Sequence, residues 1–297
     1  MQGPQRVDAW TAAAGQAARW IGLELDLRAP RTWFGPSWAF LGGVLSSGRA
    51  ALGMHSLVLL VLAWLVIEPL LGSLLALAMQ VARWRAERRP EVVIPHRWKI
   101  PYARPGSPGQ RALDALAAWL ARCGQDWLAI EGAGERGLFL AVVALALSLA
   151  VGGQVALLVA LALLALVAVA AGRPLRAEGQ AAVAAGHFLV SWLVGRSAFL
   201  DLDRWALLVG LGFAVIWYAW TLRPPRAWPL AATYAFLAAL LVGLHAPLPA
   251  AGMLLLAGPV FALWPEGPTS QRTYLQNTQI YLMLSLLLVA WGLTWGF

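Results

Sequence analysis

The sequence predicts an all-α integral membrane protein with about nine transmembrane helices, and three observations support this fold class. The 297 residues are 60% hydrophobic and 12% charged, with a mean hydropathy of +0.68, whereas a soluble domain is nearer half apolar and a quarter charged. Apolar runs that approach the roughly 20 residues a bilayer requires recur along the chain. Basic residues concentrate in the loops between these runs, which is typical of membrane proteins.

Nine apolar segments are predicted to form helices in chain order. They are residues 33–50, 56–82, 137–152, 154–171, 181–198, 205–221, 228–244, 247–263 and 278–296. The third and fourth segments meet at Gly152, Gly153 and Gln154, which leaves room only for a tight helical hairpin. Because the chain has too little polar surface to coat a globule in water, the lipid bilayer is its predicted partner.

The distribution of Lys and Arg predicts the orientation. With the N-terminus inside and the C-terminus outside, all of the 22 basic residues except Arg49, Arg196 and Arg204 lie on the cytoplasmic side. This asymmetry follows the positive-inside rule and predicts a multi-pass protein of a bacterial cytoplasmic membrane. The net charge of +8 therefore reflects membrane topology, and no nucleic-acid partner is expected.

The chain is predicted to form one transmembrane domain over residues 1–297, with a cytoplasmic N-terminal segment at 1–31. A basic cytoplasmic loop occupies 85–136. Five prolines between 90 and 108 prevent a continuous helix there. Residues 110–122 place apolar side chains on one helical face, which predicts a short amphipathic helix on the membrane surface.

Several separated runs resemble the chlorophyll and bacteriochlorophyll synthase branch of the UbiA prenyltransferase superfamily. The run TWFGPSWAF at 32–40 is similar to the start of the first membrane helix in that branch. The runs PLLG at 69–72, RPLR at 173–176 and the segment 277–293 are similar to later parts of the family pattern. The resemblance implies a ring of nine helices around a cavity that opens to the cytoplasm and to lipid.

The family's two aspartate-rich motifs, which hold magnesium diphosphate, are not recognisable in this chain. The first motif aligns its acidic positions with Gln80, Arg83 and Glu87, and these offsets place the three side chains on one helical face. An arginine there would repel a metal ion. The second motif should follow the sixth helix, but no Asp or Glu occurs between Asp203 and Glu266. Bound magnesium, any other metal site and catalytic residues are therefore not expected.

Seven residues are candidates for binding a substrate or guest: Glu68, Gln80, Arg83, Glu87, Arg173, His187 and Trp217. Ionisable groups inside a span are functional candidates because their burial is costly. Glu68 would contact a headgroup or tetrapyrrole, or else bond to a carbonyl freed by Pro69. His187 would ligate a metal tetrapyrrole, or else make a helix–helix hydrogen bond. Trp217 would line a cavity for a flat or polyprenyl ligand.

Three function classes are compatible with these features. The first is a non-catalytic relative of the synthases that binds a chlorin, carotenoid, quinone or lipid, as a subunit of a larger membrane complex. The second is an active prenyltransferase that joins a prenyl diphosphate to a tetrapyrrole or aromatic acceptor, with Arg83, Arg85 and Arg173 replacing the metal. The third is a transporter or channel, which the lack of paired intramembrane charges disfavours.

Overall fold

A computed structural model describes residues 35–49, 53–88, 133–171, 175–222, 225–265 and 271–295, and scattered positions between 107 and 118. These residues form helices and loops, with no strand among them. The nine long helices are α1 (Pro36–Ser46), α2 (Met54–Leu65, a π-helical turn Val66–Leu71, and Gly72–Arg88), α3 (Ala133–Val151), α4 (Gly153–Ala171), α5 (Ala177–Ser197), α6 (Arg204–Thr221), α7 (Ala227–Gly243), α8 (Pro247–Ala262) and α9 (Gln271–Trp295).

The predicted positions of the helices are confirmed, because each of the nine apolar segments overlaps one of these helices over most of its length. Five of them are long and apolar enough to cross a membrane: Met54–Ala82, Ala133–Val151, Gly153–Ala170, Arg204–Thr221 and Thr273–Thr294. The protein is therefore an integral membrane protein. Helix α1 has only 11 residues, well short of the roughly 20 that a span needs. Nine membrane crossings and the inside–outside orientation stay predictions.

The helices form a closed circuit, in which each contacts the next along the chain and α9 contacts α1. The most extensive packing is between α1 and α5, which lie together between two hydrophobic cores. One core joins them to α6–α9 and includes the fully buried side chains of Phe188, Trp192 and Phe213. The other joins them to α2, α3 and α4.

Two glycines allow α1 and α5 to pack backbone against backbone. A Cβ atom on Gly43 would lie 2.1 Å from the carbonyl oxygen of Trp192, and one on Gly195 would lie 2.2 Å from the carbonyl oxygen of Phe40. No real side chain tolerates such distances, so both positions require glycine. Small residues commonly permit this kind of close approach between membrane helices. The cavity described below lies to one side of this pair.

The tight hairpin predicted at residues 152–154 is confirmed, since α3 ends at Val151 and α4 begins at Gly153. Gln154 ties this turn to the α5–α6 loop: its Nε2 donates to Asp201 at 2.8 Å, and its Oε1 accepts from the Leu202 amide at 3.2 Å. At the other end of the bundle, Arg226 pairs with Glu178 at 2.6 Å. The α3–α4 turn and the α5–α6 loop therefore meet at one end of the bundle, and the first turns of α5 and α7 meet at the other.

The described positions between 108 and 118 are helical. The Ser107 hydroxyl accepts from the Gln110 amide at 3.3 Å, as an N-terminal helix cap does. Arg111 and Asp114 are exposed, whereas Ala117 is buried. A location of this segment on the membrane surface stays a prediction, and residues 1–31 lie outside the described part of the chain.

Candidate functional site

A π-helical turn interrupts α2 at Val66–Leu71 and organises the candidate site. Pro69 lies inside this turn. Proline has no backbone N–H to donate and its ring crowds the preceding helical turn, so it locally breaks the α-helical pattern. The amide of Gly72 reaches back to the carbonyl of Ile67, five residues earlier. Such π-helical turns are often found at functional sites.

The side chain of Glu68 leaves this turn and caps the N-terminus of α1. Its Oε1 accepts from the backbone N–H of Ser37 at 2.7 Å and from the Ser37 hydroxyl at 2.5 Å. The Ser37 hydroxyl in turn accepts from Trp64 Nε1 at 3.0 Å. The partner of Glu68 within the protein is therefore Ser37 and not a carbonyl freed by Pro69. The carboxylate instead satisfies donors of another helix. A contact between Glu68 and a bound guest stays a prediction.

A cavity of about 450 Å³ lies between α2, α4 and α5. Its lining residues are Leu71, Leu75, Leu158, Leu161, Ala162, Ala165, Leu166, Val169, Ala182, Val183, Gly186, His187 and Val190. His187 is the one polar side chain in this lining. Alanine and glycine account for four of the positions, and these small side chains leave the space open.

His187 connects the cavity to the π-helical turn. Its Nε2 lies 3.3 Å from the carbonyl oxygen of Ile67, so the imidazole bridges α5 and α2. Across the helix interface, a Cβ on Gly72 would lie 3.9 Å from His187 Cε1, which shows how closely the ring covers this glycine. His187 is half-buried and borders the cavity. Its role in binding a guest stays a prediction.

The other candidate residues are placed apart from this cavity lining. Gln80 is exposed on α2, and Arg83 and Glu87 follow it in the last turns of the same helix. Arg173 lies outside the described residues. Trp217 is 5% exposed and stacks on Phe188 with ring centroids 5.5 Å apart. The structure therefore places His187 against the π-helical turn that carries Glu68. It packs Trp217 on Phe188, the residue that follows His187 in α5.

A buried ion pair at the opposite end of α5 was missed by the sequence interpretation, which only counted Arg196 among the basic residues on the outer side. Arg196 is 1% exposed, donates to the carbonyl of Ser46 and pairs with Asp203. Asp203 also accepts from the Ala206 amide at 2.7 Å and so caps α6. The sequence did contain a signal for this pair. Asp203 lies just before the predicted helix at 205–221, and Arg196 lies inside the apolar segment at 181–198.

No group of three or more His, Cys, Asp or Glu side chains comes together within 35–49, 53–88, 133–171, 175–222, 225–265 and 271–295. The polar chemistry of the described site therefore consists of the imidazole of His187 and the capping carboxylate of Glu68.

Comparison with known proteins finds one informative similarity. The chain is 29% identical over 203 residues to the bacteriochlorophyll synthase 34 kDa chain of Chloroflexus aurantiacus. The match covers 66% of this chain and 56% of that protein, so the chain spans little more than half the length of the relative. This similarity supports a relationship to the chlorophyll synthase branch, as the run at 32–40 indicated. No family model matches the chain, and no solved structure matches it.

Proposed function

We propose that this protein is a UbiA-like membrane protein, related to bacteriochlorophyll synthase, that binds a long hydrophobic guest without catalysing magnesium-dependent prenyl transfer. The guest is an isoprenoid or lipid chain held between α2, α4 and α5. The observation that carries the proposal is the apolar cavity with a single imidazole in its wall. Its volume of about 450 Å³ falls in the range of about 300–1,000 Å³ that is usual for ligand pockets.

A linear guest fits the site better than a metal chlorin. The Nε2 atom of His187 already bonds to Ile67, so only Nδ1 could ligate a metal without breaking a helix–helix contact. Leucine and valine side chains supply most of the remaining wall, and they favour apolar chains through burial of hydrocarbon surface. A carotenoid or the tail of a quinone is compatible with the same wall. A role as a subunit of a larger membrane complex is part of this proposal.

The sequence supports the non-catalytic part of the proposal. Gln80 and Arg83 occupy positions where the resemblance expects acids, and residues 204–265 contain no Asp or Glu. A diphosphate leaving group without metal loses several kcal/mol of charge stabilisation. The second candidate function, an active prenyltransferase, is favoured by the 29% identity to a bacteriochlorophyll synthase chain. Arg83, Arg85 and Arg173 would then hold the diphosphate.

The binding proposal is tested by identifying what the protein carries when purified gently from its native membrane. Extraction followed by mass spectrometry should recover an isoprenoid or lipid at a fixed ratio to protein. Gly186→Leu fills the cavity, because a Cβ at Gly186 meets no atom within 4 Å and the residue lines the space. This variant should lose most of the guest.

Gly258→Leu is the matched control. Gly258 is also an exposed helical glycine whose Cβ would meet no atom within 4 Å, but it lies on α8, away from the cavity lining. It should keep the guest at the native ratio. Equal guest content in the two variants, or none in the native protein, would contradict the binding proposal.

The catalytic alternative is tested with purified protein, geranylgeranyl or phytyl diphosphate, and a chlorophyllide acceptor, with and without magnesium. We expect no product above a protein-free control. Magnesium-stimulated product would overturn the non-catalytic proposal. Product that forms without magnesium and disappears in Arg83→Ala would establish the arginine-based enzyme instead.

A further inference from the structure

We propose that the cavity selects a guest that carries a hydrogen-bond donor, a long-chain alcohol, over guests whose polar group only accepts, such as ethers, esters and quinones. This inference rests on the proposed function, since it requires that the cavity binds a guest. It concerns the one polar group in the cavity lining, His187, and the hydrogen bond that fixes the state of its ring.

The bond between His187 and Ile67 determines which ring nitrogen carries the proton. A backbone carbonyl oxygen can only accept a hydrogen bond, so Nε2 at 3.3 Å from the Ile67 oxygen must be the donor. A neutral imidazole has one N–H and one lone pair. The proton on Nε2 therefore leaves Nδ1 as an acceptor.

The imidazole is neutral in this setting because a charged side chain at membrane depth is costly. The carboxylate nearest to it along the π-helical turn, Glu68, is held by two donors of Ser37. The hydroxyl of Ser191, one turn further along α5, donates to the His187 carbonyl at 2.7 Å. These polar neighbours are satisfied by other bonds, and none of them supplies a proton to Nδ1.

The Nδ1 atom is available to a guest. Among the described residues the ring has no hydrogen-bond partner other than Ile67. Buried side-chain atoms that lack a partner do not include Nδ1, so this atom is not fully enclosed by protein. Gly186, the preceding residue, leaves open space where a side chain would stand. The other lining side chains are all apolar.

A guest that enters with a polar end therefore meets an acceptor and no donor from the lining side chains. A hydroxyl can donate to Nδ1 and keep its hydrogen bond inside the cavity. An ether or quinone oxygen would lose its bonds to water without replacement, and such unpaired polar groups are expensive to bury. The single imidazole, in this tautomer, discriminates between the two chemical classes.

The test compares geranylgeraniol with its methyl ether. The two compounds have the same isoprenoid chain, but only the alcohol carries a hydrogen-bond donor. Binding to the purified full chain in detergent is measured by competition with a fluorescent fatty alcohol. The native protein should bind the alcohol roughly tenfold more tightly, as one net hydrogen bond allows. His187→Leu should bind both probes equally. His187→Gln should restore the preference, because its amide can donate to Ile67 and still offer an oxygen to the guest.

The outcomes separate the two proposals. If the native protein binds both probes equally, and Gly186→Leu weakens both, the cavity binds guests but the inferred selectivity is overturned. A preference for the ether, or an alcohol preference that persists in His187→Leu, also overturns the selectivity. If neither probe binds, the proposed function fails, and this inference fails with it. Thermal unfolding of each variant verifies that it remains folded.

Discussion

The Oε1 atom of Glu68 accepts hydrogen bonds from the backbone N–H and the hydroxyl of Ser37, at 2.7 and 2.5 Å, and so joins the π-helical turn of α2 to the start of α1. The first amides of a helix have no partner inside the helix. A carboxylate there also interacts favourably with the helix dipole. Within the protein, Glu68 is thus an N-terminal cap supplied by a neighbouring helix.

This relationship predicts coupled effects on stability. Glu68→Leu removes both acceptor contacts and should lower the free energy of unfolding by about 0.5–2 kcal/mol, the usual cost of losing a cap. Ser37→Ala should cost less, because its amide can still donate to Glu68. Thermal unfolding in detergent measures both. The double variant should cost less than the sum of the single changes, and strict additivity would show that the pair does not interact.

The α1–α5 crossing predicts two positions that accept only glycine. Gly43→Ala and Gly195→Ala each place a Cβ within 2.2 Å of a carbonyl oxygen on the facing helix. Overpacking of this kind costs about 1–3 kcal/mol or more, so both variants should unfold at lower temperature than the native protein. Gly258→Ala is the control, and its open position should give equal or higher stability. Native stability in Gly43→Ala would refute the close crossing.

The buried Arg196–Asp203 pair predicts an asymmetric mutational response. Breaking a buried pair costs up to about 3–5 kcal/mol, but Asp203 is 29% exposed, so Arg196→Met should fall toward the lower end. Asp203→Asn retains a good helix cap while it removes the charge. We expect the double variant Arg196→Met/Asp203→Asn to lose less stability than the sum of the losses in the two single variants. Unfolding midpoints in detergent measure these losses for the three variants, and additive losses would contradict the prediction.

The connection between α7 and α8 contains a residue with left-handed backbone geometry. His245 has φ of 59°, and the bonds from His245 to Val242 and from Ala246 to Leu241 form a Schellman motif. Glycine is the usual residue at this position. His245→Gly should therefore keep or raise stability, by up to about 1 kcal/mol, whereas His245→Val should lower it because a branched side chain disfavours positive φ. A more stable His245→Val protein would contradict this geometry.

The topology predicts where reporter fusions are active. Fusions after Arg104, Arg176 and Arg226 should report the cytoplasm, and a fusion at Phe297 should report the outside, because basic loops stay inside. Two contacts are consistent with this arrangement, since Arg226 meets Glu178 at one end of the bundle and Gln154 meets Asp201 at the other. A cytoplasmic C-terminus would mean that the number of membrane crossings is even.

Much of the fold could be predicted from the sequence because helices in a bilayer satisfy their own backbone hydrogen bonds. Apolar runs therefore mark helices locally, and each of the nine runs overlaps one helix over most of its length. The α3–α4 hairpin was predictable for the same reason, since Gly152 alone separates the two helices. These features depend on residues that are neighbours along the chain.

The tertiary structure decided which helices meet and which polar groups they satisfy. The sequence marked Glu68 and His187 as polar residues inside spans, but their partners Ser37 and Ile67 come from other helices, 31 and 120 residues away. The cavity likewise exists only because α4 and α5 bring small side chains together beside the leucines of α2. Local hydropathy cannot specify such pairings, because lipid tails are as apolar as the helix surfaces. The contacts are instead selected by close packing at glycines and by hydrogen bonds between helices.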